Sequence, residues 1–404
     1  MLSYTDARQK VIEVAGALPR QLSRTPVEIE QAFGRILAAP VLADRDYPPF
    51  DRSTRDGFAV RAADAQQPGA RLECVGELRA GGIFEGSVLS GQCVEIMTGA
   101  AVPRGADAVV MVEHSKRGGR TIALDRAVQS GDHIVMRGSE AHAGSLLVAP
   151  KTRLGYAEMA LAAQAGATRL EVFAAPRLAI LSTGDEVVDA RSQPGPLQVR
   201  NSNGISIEIL ARTAGAETIQ LGNAPDEKGA LRAAMERGLQ ADILVLSGGV
   251  SMGKYDLVEQ VLADLGAEFH FTGVSIRPGR PAVFGVCRNK LVFGLPGNPV
   301  STMVTFELFV LPAVDLLSGA DARPLPVFRA KLATPAREKG PVTHFLPSRI
   351  EWEGREARVT QLPWQGSGDI VALALANGFL IVGPERPEID PGEWVDVLPR
   401  RGAI

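Results

Sequence analysis

Cysteine is scarce in this chain. Three residues in 404, Cys74, Cys93 and Cys287, lie far apart in sequence with no CxxC pair among them. That pattern supports neither a disulfide framework nor a zinc ribbon, and buried free thiols are the expectation. The five histidines, His114, His133, His142, His270 and His344, are scattered outside any HExxH or HxH spacing, so no histidine-built metal centre is indicated. Excess charge is missing too. A formal charge of −3 removes any strong electrostatic drive toward nucleic acid or acidic membranes. The opening MLSYTDARQK lacks the apolar centre of a secretory signal. No uninterrupted apolar run reaches bilayer length. These absences point to a reducing, cytoplasmic setting with no nucleic-acid and no membrane partner.

What is present is globular text. Apolar residues at 45% and charged residues at 22% suit packed domains, and the length implies about two to four of them. Thr5 to Ala17 has helical spacing, and a second helix is expected from Pro26 to Ala39. From Asp44 to Leu147 the text turns glycine-rich, with short apolar runs such as Cys93–Met97 and Ala108–Val112, which predicts strands. Helical spacing returns at Gly155 to Ala165. From Arg177 onward strands and helices alternate, and a long helix near Val300 to Leu317 closes that unit. Such alternation implies a mostly parallel sheet with ligand sites at strand carboxyl ends. After Pro324 the text is β-like again. The fold class is therefore multidomain α/β plus β. It comprises a helical linker domain (1–43 and 148–175), a β-rich inserted domain (44–147), a central mostly parallel α/β domain (176–323) and a C-terminal β domain (324–404).

Several loops follow strands. Ser182-Thr183-Gly184-Asp185-Glu186 reads as a helix capping box with Thr183 as the cap, or as a carboxylate aimed into a crevice; alone, the cap is favoured. Ser247-Gly248-Gly249-Val250-Ser251-Met252-Gly253 is a glycine loop whose backbone can approach a ligand. Asp256 just beyond it hints at Mg²⁺, since a carboxylate beside a phosphate needs a mediating cation; a plain tight turn is the alternative. In Gly294-Leu295-Pro296-Gly297-Asn298-Pro299-Val300-Ser301, Asn298 suits a helix cap and Pro299 the first helical position. A helix start at that edge is a ready anion site, though pure structure explains it as well. Arg277-Pro278-Gly279-Arg280 is either a guanidinium fork for an oxyanion or a solvated basic loop. Asp51 to Phe58 and Met97-Thr98-Gly99-Ala100 are unremarkable by themselves.

As a set, these pieces are specific. PPFDRSTRDGFAV, MTGAAVP, LSTGDEVV, Asn201-Ser202-Asn203, Pro225-Asp226, SGGVSMGKYD, RPGRP, GLPGNPVS and QGSGDI occur in this order over essentially the whole chain. The chain thereby resembles the molybdopterin molybdenumtransferases, the family that includes the C-terminal domain of gephyrin. The resemblance implies an elongated four-part subunit with a barrel-like C-terminal domain, a homodimer, and an active cleft between subunits. It implies an α/β domain that binds molybdopterin, and a Mg²⁺-assisted reaction of adenylylated molybdopterin with molybdate that releases AMP and leaves molybdenum on the dithiolene. By motif position Asp56, Glu186, Asp226 and Asp256 are the acidic site residues, Glu186 and Asp256 the metal ligands, and Thr98 lines the cleft. Gly248, Gly249, Ser251 and Gly253 form the binding loop, Pro296 and Pro299 shape the loop near the pterin, and Arg277, Arg280, Ser301 and Ser367 are candidates for oxyanion contact. Other proteins of molybdenum cofactor biosynthesis are implied partners.

Three segments depart from the family pattern. Arginines replace the usual lysines at 277 and 280, Gly138-Ser139-Glu140 carries Glu where Asp is common, and near Phe345 only Arg349 stands in for an expected arginine. Two other functions compete: the adenylyltransferase of the preceding step, and a gephyrin-like scaffold. An adenylyltransferase would not need the DRSTRDGF and QGSGD modules, and a scaffold would have no reason to keep all four acidic residues.

Overall fold

Short runs that are apolar at every position become central strands, because both of their faces are covered. The computed structural model describes residues 1–19, 22–249 and 257–401, which fold as two units. One unit comprises Val27–Phe33 and Ala39–Leu170. Its sheet uses β1 (Gly57–Val60), β2 (Arg71–Leu78), β3 (Gln92–Ile96), β4 (Ala108–Met111), β5 (Ser115–Gly118) and β6 (Thr121–Leu124), in the order β4-β1-β3-β2-β6-β5. Side chains alternate across it. Phe58, Val60 and Val110 enter one core and Ala59, Val94, Ile96 and Val109 another. At Gly57 any Cβ would lie 1.9 Å from the Val110 carbonyl oxygen, so glycine lets β1 and β4 close. Cys74 and Cys93 are buried free thiols and register partners across β2 and β3.

The other unit comprises Met1–Pro26, Gly34–Ala38 and Glu171–Ile404. Its sheet contains β7 (Arg177–Thr183), β8 (Glu217–Ala224), β9 (Ile243–Ser247), β10 (Glu268–Phe271), β11 (Val283–Cys287) and β12 (Lys290–Leu295), in the order β8-β7-β9-β12-β11-β10. The first four are parallel, and β11 and β10 are antiparallel to their neighbours. Leu178, Ile180 and Val245 pack on one face against Ile207, Ala211 and Val304; Ala179, Leu181 and Leu244 pack on the other against Leu231, Met235 and Val261. The carboxyl ends of β8, β7, β9 and β12 therefore share one edge, with Ser182 opposite Ser247 and Ser247 opposite Leu295.

The C-terminal part is a closed five-stranded barrel. It is built from β13 (Phe328–Leu332), β14 (Thr343–Glu353), β15 (Glu356–Gln361), β16 (Gly378–Val382) and β17 (Trp394–Pro399), closed by β14 pairing with β16. Residues Ile276–Arg277 add to β14 in parallel, Arg277 opposite His344.

Two expectations change. The helix expected from Pro26 to Ala39 is instead a strand, Arg24–Glu28, and a single 3₁₀ turn, Ile29–Gln31. Further on, the backbone pairs with residues near 172: the Ala38 N–H donates to Glu171 O at 2.8 Å, and Leu37 bridges Val172. The Thr183 cap also fails. No helix starts there; Gly184 turns at φ +120° into the short strand Val187–Val188. Among the described residues one helix, Pro299–Leu317, is long and apolar enough to cross a membrane by length and composition, but 83% of that stretch is buried inside the protein. Glu307 and Asp315 interrupt its apolar text without ending it. Its middle, Phe306–Val310, is a π segment. There the Leu308 carbonyl accepts a 2.9 Å hydrogen bond from the buried Arg8 guanidinium.

Candidate functional site

Every parallel strand delivers a loop to the same edge. β7 leads to Gly184-Asp185-Glu186, β8 to Pro225-Asp226, β9 to Gly248-Gly249 and β12 to Pro296-Gly297-Asn298. The loops are held close by small residues. Gly248 has φ +97°, and a Cβ there would meet the Thr183 carbonyl oxygen at 2.7 Å; a Cβ on Gly297 would lie 3.5 Å from the Gly248 Cα. Asn203 ties two of them together: its Nδ2 donates to Ser247 Oγ at 2.9 Å and to Gly297 O at 2.7 Å. Asn201 caps the following helix through Gly204 N at 2.8 Å and donates to Ser182 Oγ at 2.9 Å. Asn203 Oδ1 and Thr183 Oγ1 are buried without a hydrogen-bond partner among the described residues.

Three carboxylates gather at this edge. The Asp226 N–H donates to Asp185 Oδ1 at 3.1 Å. Burial pushes the Asp226 carboxyl above the usual carboxylate range, and the charges of Asp185 and Glu186 push it further. Among the described residues no Lys or Arg pairs with Asp185, Glu186 or Asp226. An acidic cluster without counter-charge suits a hard, oxygen-seeking cation such as Mg²⁺. Among the described residues no set of three or more His, Cys, Asp or Glu side chains is placed to hold a metal ion by itself.

The RPGR turn reaches the edge from the opposite strand direction. It precedes β11, yet β11 is antiparallel to β12, with Val283 opposite Gly294. The amino end of one strand thus lies beside the carboxyl end of the other. Gly279, at φ +110°, packs where a Cβ would meet Thr305 at 2.7 Å. The Arg277 and Arg280 side chains are exposed and have no hydrogen bond or ion pair among the described residues, while the Arg280 carbonyl accepts from the Val274 N–H at 2.9 Å.

The helix start behaves differently from expectation. Pro299 is at the first helical position, but the Asn298 side chain makes no cap bond. Its Nδ2 donates instead to Ser367 Oγ at 2.7 Å, while the Val300 N–H donates to Ser367 O at 3.0 Å. The QGSGD loop of the barrel is thereby fixed to this helix, and it consumes one of the free N–H groups. Pro296 and Ser301 are buried beside it.

Asp56 and Thr98, in the other unit, meet directly. Thr98 N–H and Thr98 Oγ–H both donate to Asp56 Oδ1, at 2.6 and 2.8 Å. These bonds hold the Asp56 carboxyl below its ordinary value. Ser251, Gly253 and Asp256 lie outside the described residues. Among the departing positions, Glu140 accepts from Arg52 at 3.0 Å, and Arg349 is exposed, its Nε 3.9 Å from Glu351. Asn203 and Asp185 were within reach of sequence reasoning, inside motifs already singled out. Their contacts depend on loops distant in sequence.

Comparison with known proteins adds to this geometry. Three family models match in sequence order: the MoeA N-terminal region (domain I and II) over residues 2–166, a probable molybdopterin binding domain over 179–315, and the MoeA C-terminal region (domain IV) over 329–399. The chain is 37% identical to the molybdopterin molybdenumtransferase of Nostoc sp. over 339 residues, 81% of this chain and 77% of that one. Against the Bacillus subtilis molybdopterin molybdenumtransferase it is 33% identical over 381 residues, 92% of this chain and 89% of that one. The crystal structure of the molybdopterin biosynthesis MoeA protein of Pyrococcus horikoshii OT3 superposes with a TM-score of 0.83 at 27% identity, covering 99% of this chain and 100% of that one. The motif order, the paired sheets and barrel, and these relatives converge on one statement: the chain belongs to the molybdopterin molybdenumtransferase family.

Proposed function

We infer that this protein is an enzyme of molybdenum cofactor biosynthesis that inserts molybdenum from molybdate into adenylylated molybdopterin and releases AMP. The observation that carries the reading is the meeting of an uncompensated acidic cluster and an unpaired arginine turn at one sheet edge. A dianionic oxyanion and a phosphoanhydride both require positive charge, and the RPGR turn provides it through Arg277 and Arg280. Gly248 and Gly249 let backbone approach the substrate's phosphates. Pro296 and Pro299 shape the wall for the pterin, with Ser301 and Ser367 as further oxyanion contacts. Glu186 and Asp256 would hold Mg²⁺, and Asp226 adds a further acidic group near Glu186. Mg²⁺ bound there would offset the charge that develops as the phosphoanhydride opens.

A cytoplasmic homodimer belongs to the same proposal. Three free cysteines suit a reducing compartment. In the dimer, Asp56 and Thr98 of one subunit complete the cleft of the other, and further proteins of the pathway deliver substrate and accept product. The test is incubation with adenylylated molybdopterin, molybdate and Mg²⁺, following AMP. Stoichiometric AMP with molybdenum on the pterin is expected. Intact substrate after full incubation with properly folded protein overturns the reading.

A further inference from the structure

His344 lies on β14 at 2% exposure; its ring has no well-aligned side-chain hydrogen bond among the described residues, and its one backbone neighbour of hydrogen-bonding kind is Lys339. Its Nδ1 stands 3.0 Å from Glu338 Oε2, close enough for an ion pair but not aligned for a hydrogen bond. A buried, poorly satisfied imidazole is costly unless it does something. Its place in the fold suggests what. Arg277 is its register partner, and the Thr343 N–H donates to Ser275 O at 3.1 Å. The strand that launches the RPGR turn is thus seated on the strand that carries His344. On the opposite flank its ladder partner is Val382, which is uncharged. Glu338 and Arg277 are the charged groups facing the ring.

We propose that His344, with Glu338 as its counter-ion, is a positioning residue and latent third cation beneath the Arg277–Arg280 turn, charged when a tetrahedral dianion binds there. The inference rests on the reading of that turn as the oxyanion site. Its electrostatics run as follows. Burial first, and the neighbouring Arg277 charge, push the imidazole below its ordinary value, while Glu338 and a backbone hydrogen bond to Lys339 pull it up. At neutral pH the free protein therefore keeps the ring neutral. A dianion at the arginines cancels the field of Arg277, and Glu338 then favours the imidazolium. By linkage, dianion binding takes up a proton and tightens as pH falls.

The experiment is calorimetric titration of the full-length protein with molybdate, in buffers of different ionisation enthalpy. Wild type should take up a fraction of a proton per molybdate, and its Kd should tighten about three- to tenfold from pH 7.5 to 6. His344→Gln and Glu338→Gln should bind with little proton uptake and a flat profile. The ¹⁵N shifts of the His344 ring in wild-type protein, which need no variant, should move toward the imidazolium on adding molybdate. Absent uptake in wild type, or uptake retained in His344→Gln, overturns the inference. Unchanged molybdate binding in the Arg277→Ala, Arg280→Ala double variant would instead overturn the oxyanion reading, and is separately visible.

Discussion

Asp56 and Asp226 are the same residue in opposite electrostatic states. In the β insert, Asp56 is answered by a backbone and a hydroxyl donor of Thr98, and its carboxyl is held below the usual range. At the α/β edge, Asp226 stands beside two other carboxylates, and its carboxyl is pushed up by desolvation and by their charges. One is answered by a neighbouring loop of its own unit. The other is unfinished, and becomes favourable only when a cation or a positive substrate-bound centre arrives. The difference separates a residue that shapes a surface from one that waits for chemistry.

The severest test removes the unfinished set. Glu186→Ala and Asp256→Ala should keep the fold yet lower AMP release by about a hundredfold or more. Asp226→Asn should do likewise without lowering the thermal midpoint, because it also removes like-charge repulsion. Wild-type turnover in any of these, or in excess chelator, would break the contrast. Next comes the positive side of the same edge. Losing one charge-assisted contact typically costs roughly 1.5–3 kcal/mol, about one to two decades in affinity. Arg280→Ala should raise the molybdate requirement by about that factor, and Arg280→Lys should be mild. AMP release against molybdate concentration decides it.

A smaller, partial effect is expected from subunit mixing. Asp56→Ala and Asp256→Ala proteins, each inactive, should regain some turnover as heterodimers. No recovery despite proven subunit exchange would remove Asp56 from a shared cleft. The smallest effect is in stability against pH. A carboxyl lowered in the fold stabilises above its unfolded value and loses that contribution as pH falls through the folded one. Asp56→Asn should therefore blunt acid destabilisation. Asp226 is raised, so its penalty is present at neutral pH and relieved as pH falls through its folded value toward 3.8. Asp226→Asn should stabilise at pH 7 and do nothing in strong acid. Midpoints of the two variants moving in the same direction across that range would erase the distinction.

Legibility followed the reach of each interaction. The α/β strands were readable because RLAIL, ILVLS and KLVFG are apolar on both faces, as a covered parallel sheet demands. β14 was not, since Pro347 inside it argues against a strand. Its neighbours satisfy the ladder around that proline, with the Leu362 N–H donating to Pro347 O at 3.0 Å. Thr183 looked like a cap because the local text of a cap is short and common; only the missing helix shows otherwise. Motif text located the edge loops. It could not show that Asn298 turns from its own helix to Ser367, that Asn203 bridges two loops, or that His344 is poorly satisfied. Each of those depends on partners far away along the chain.

A π segment holds one residue more per turn than an α-helix, and a residue turns an α-helix by about 100°. In the Pro299–Leu317 helix the surplus, which carries the Arg8 contact at Leu308, lies between an end that anchors the Ser367 loop and an end packed in the core. Deleting any one residue of Phe306–Val310 would rewind the segment and swing one end against the other by about that angle. Either Pro299 and Ser301 would leave the sheet edge, or Leu311 to Leu317 would leave the core. Arg8 would then face a carbonyl already bonded within the helix. Substitutions along this helix are open to evolution in a way that a single-residue length change is not. Among descendants of this sequence, its length should drift far less than its composition.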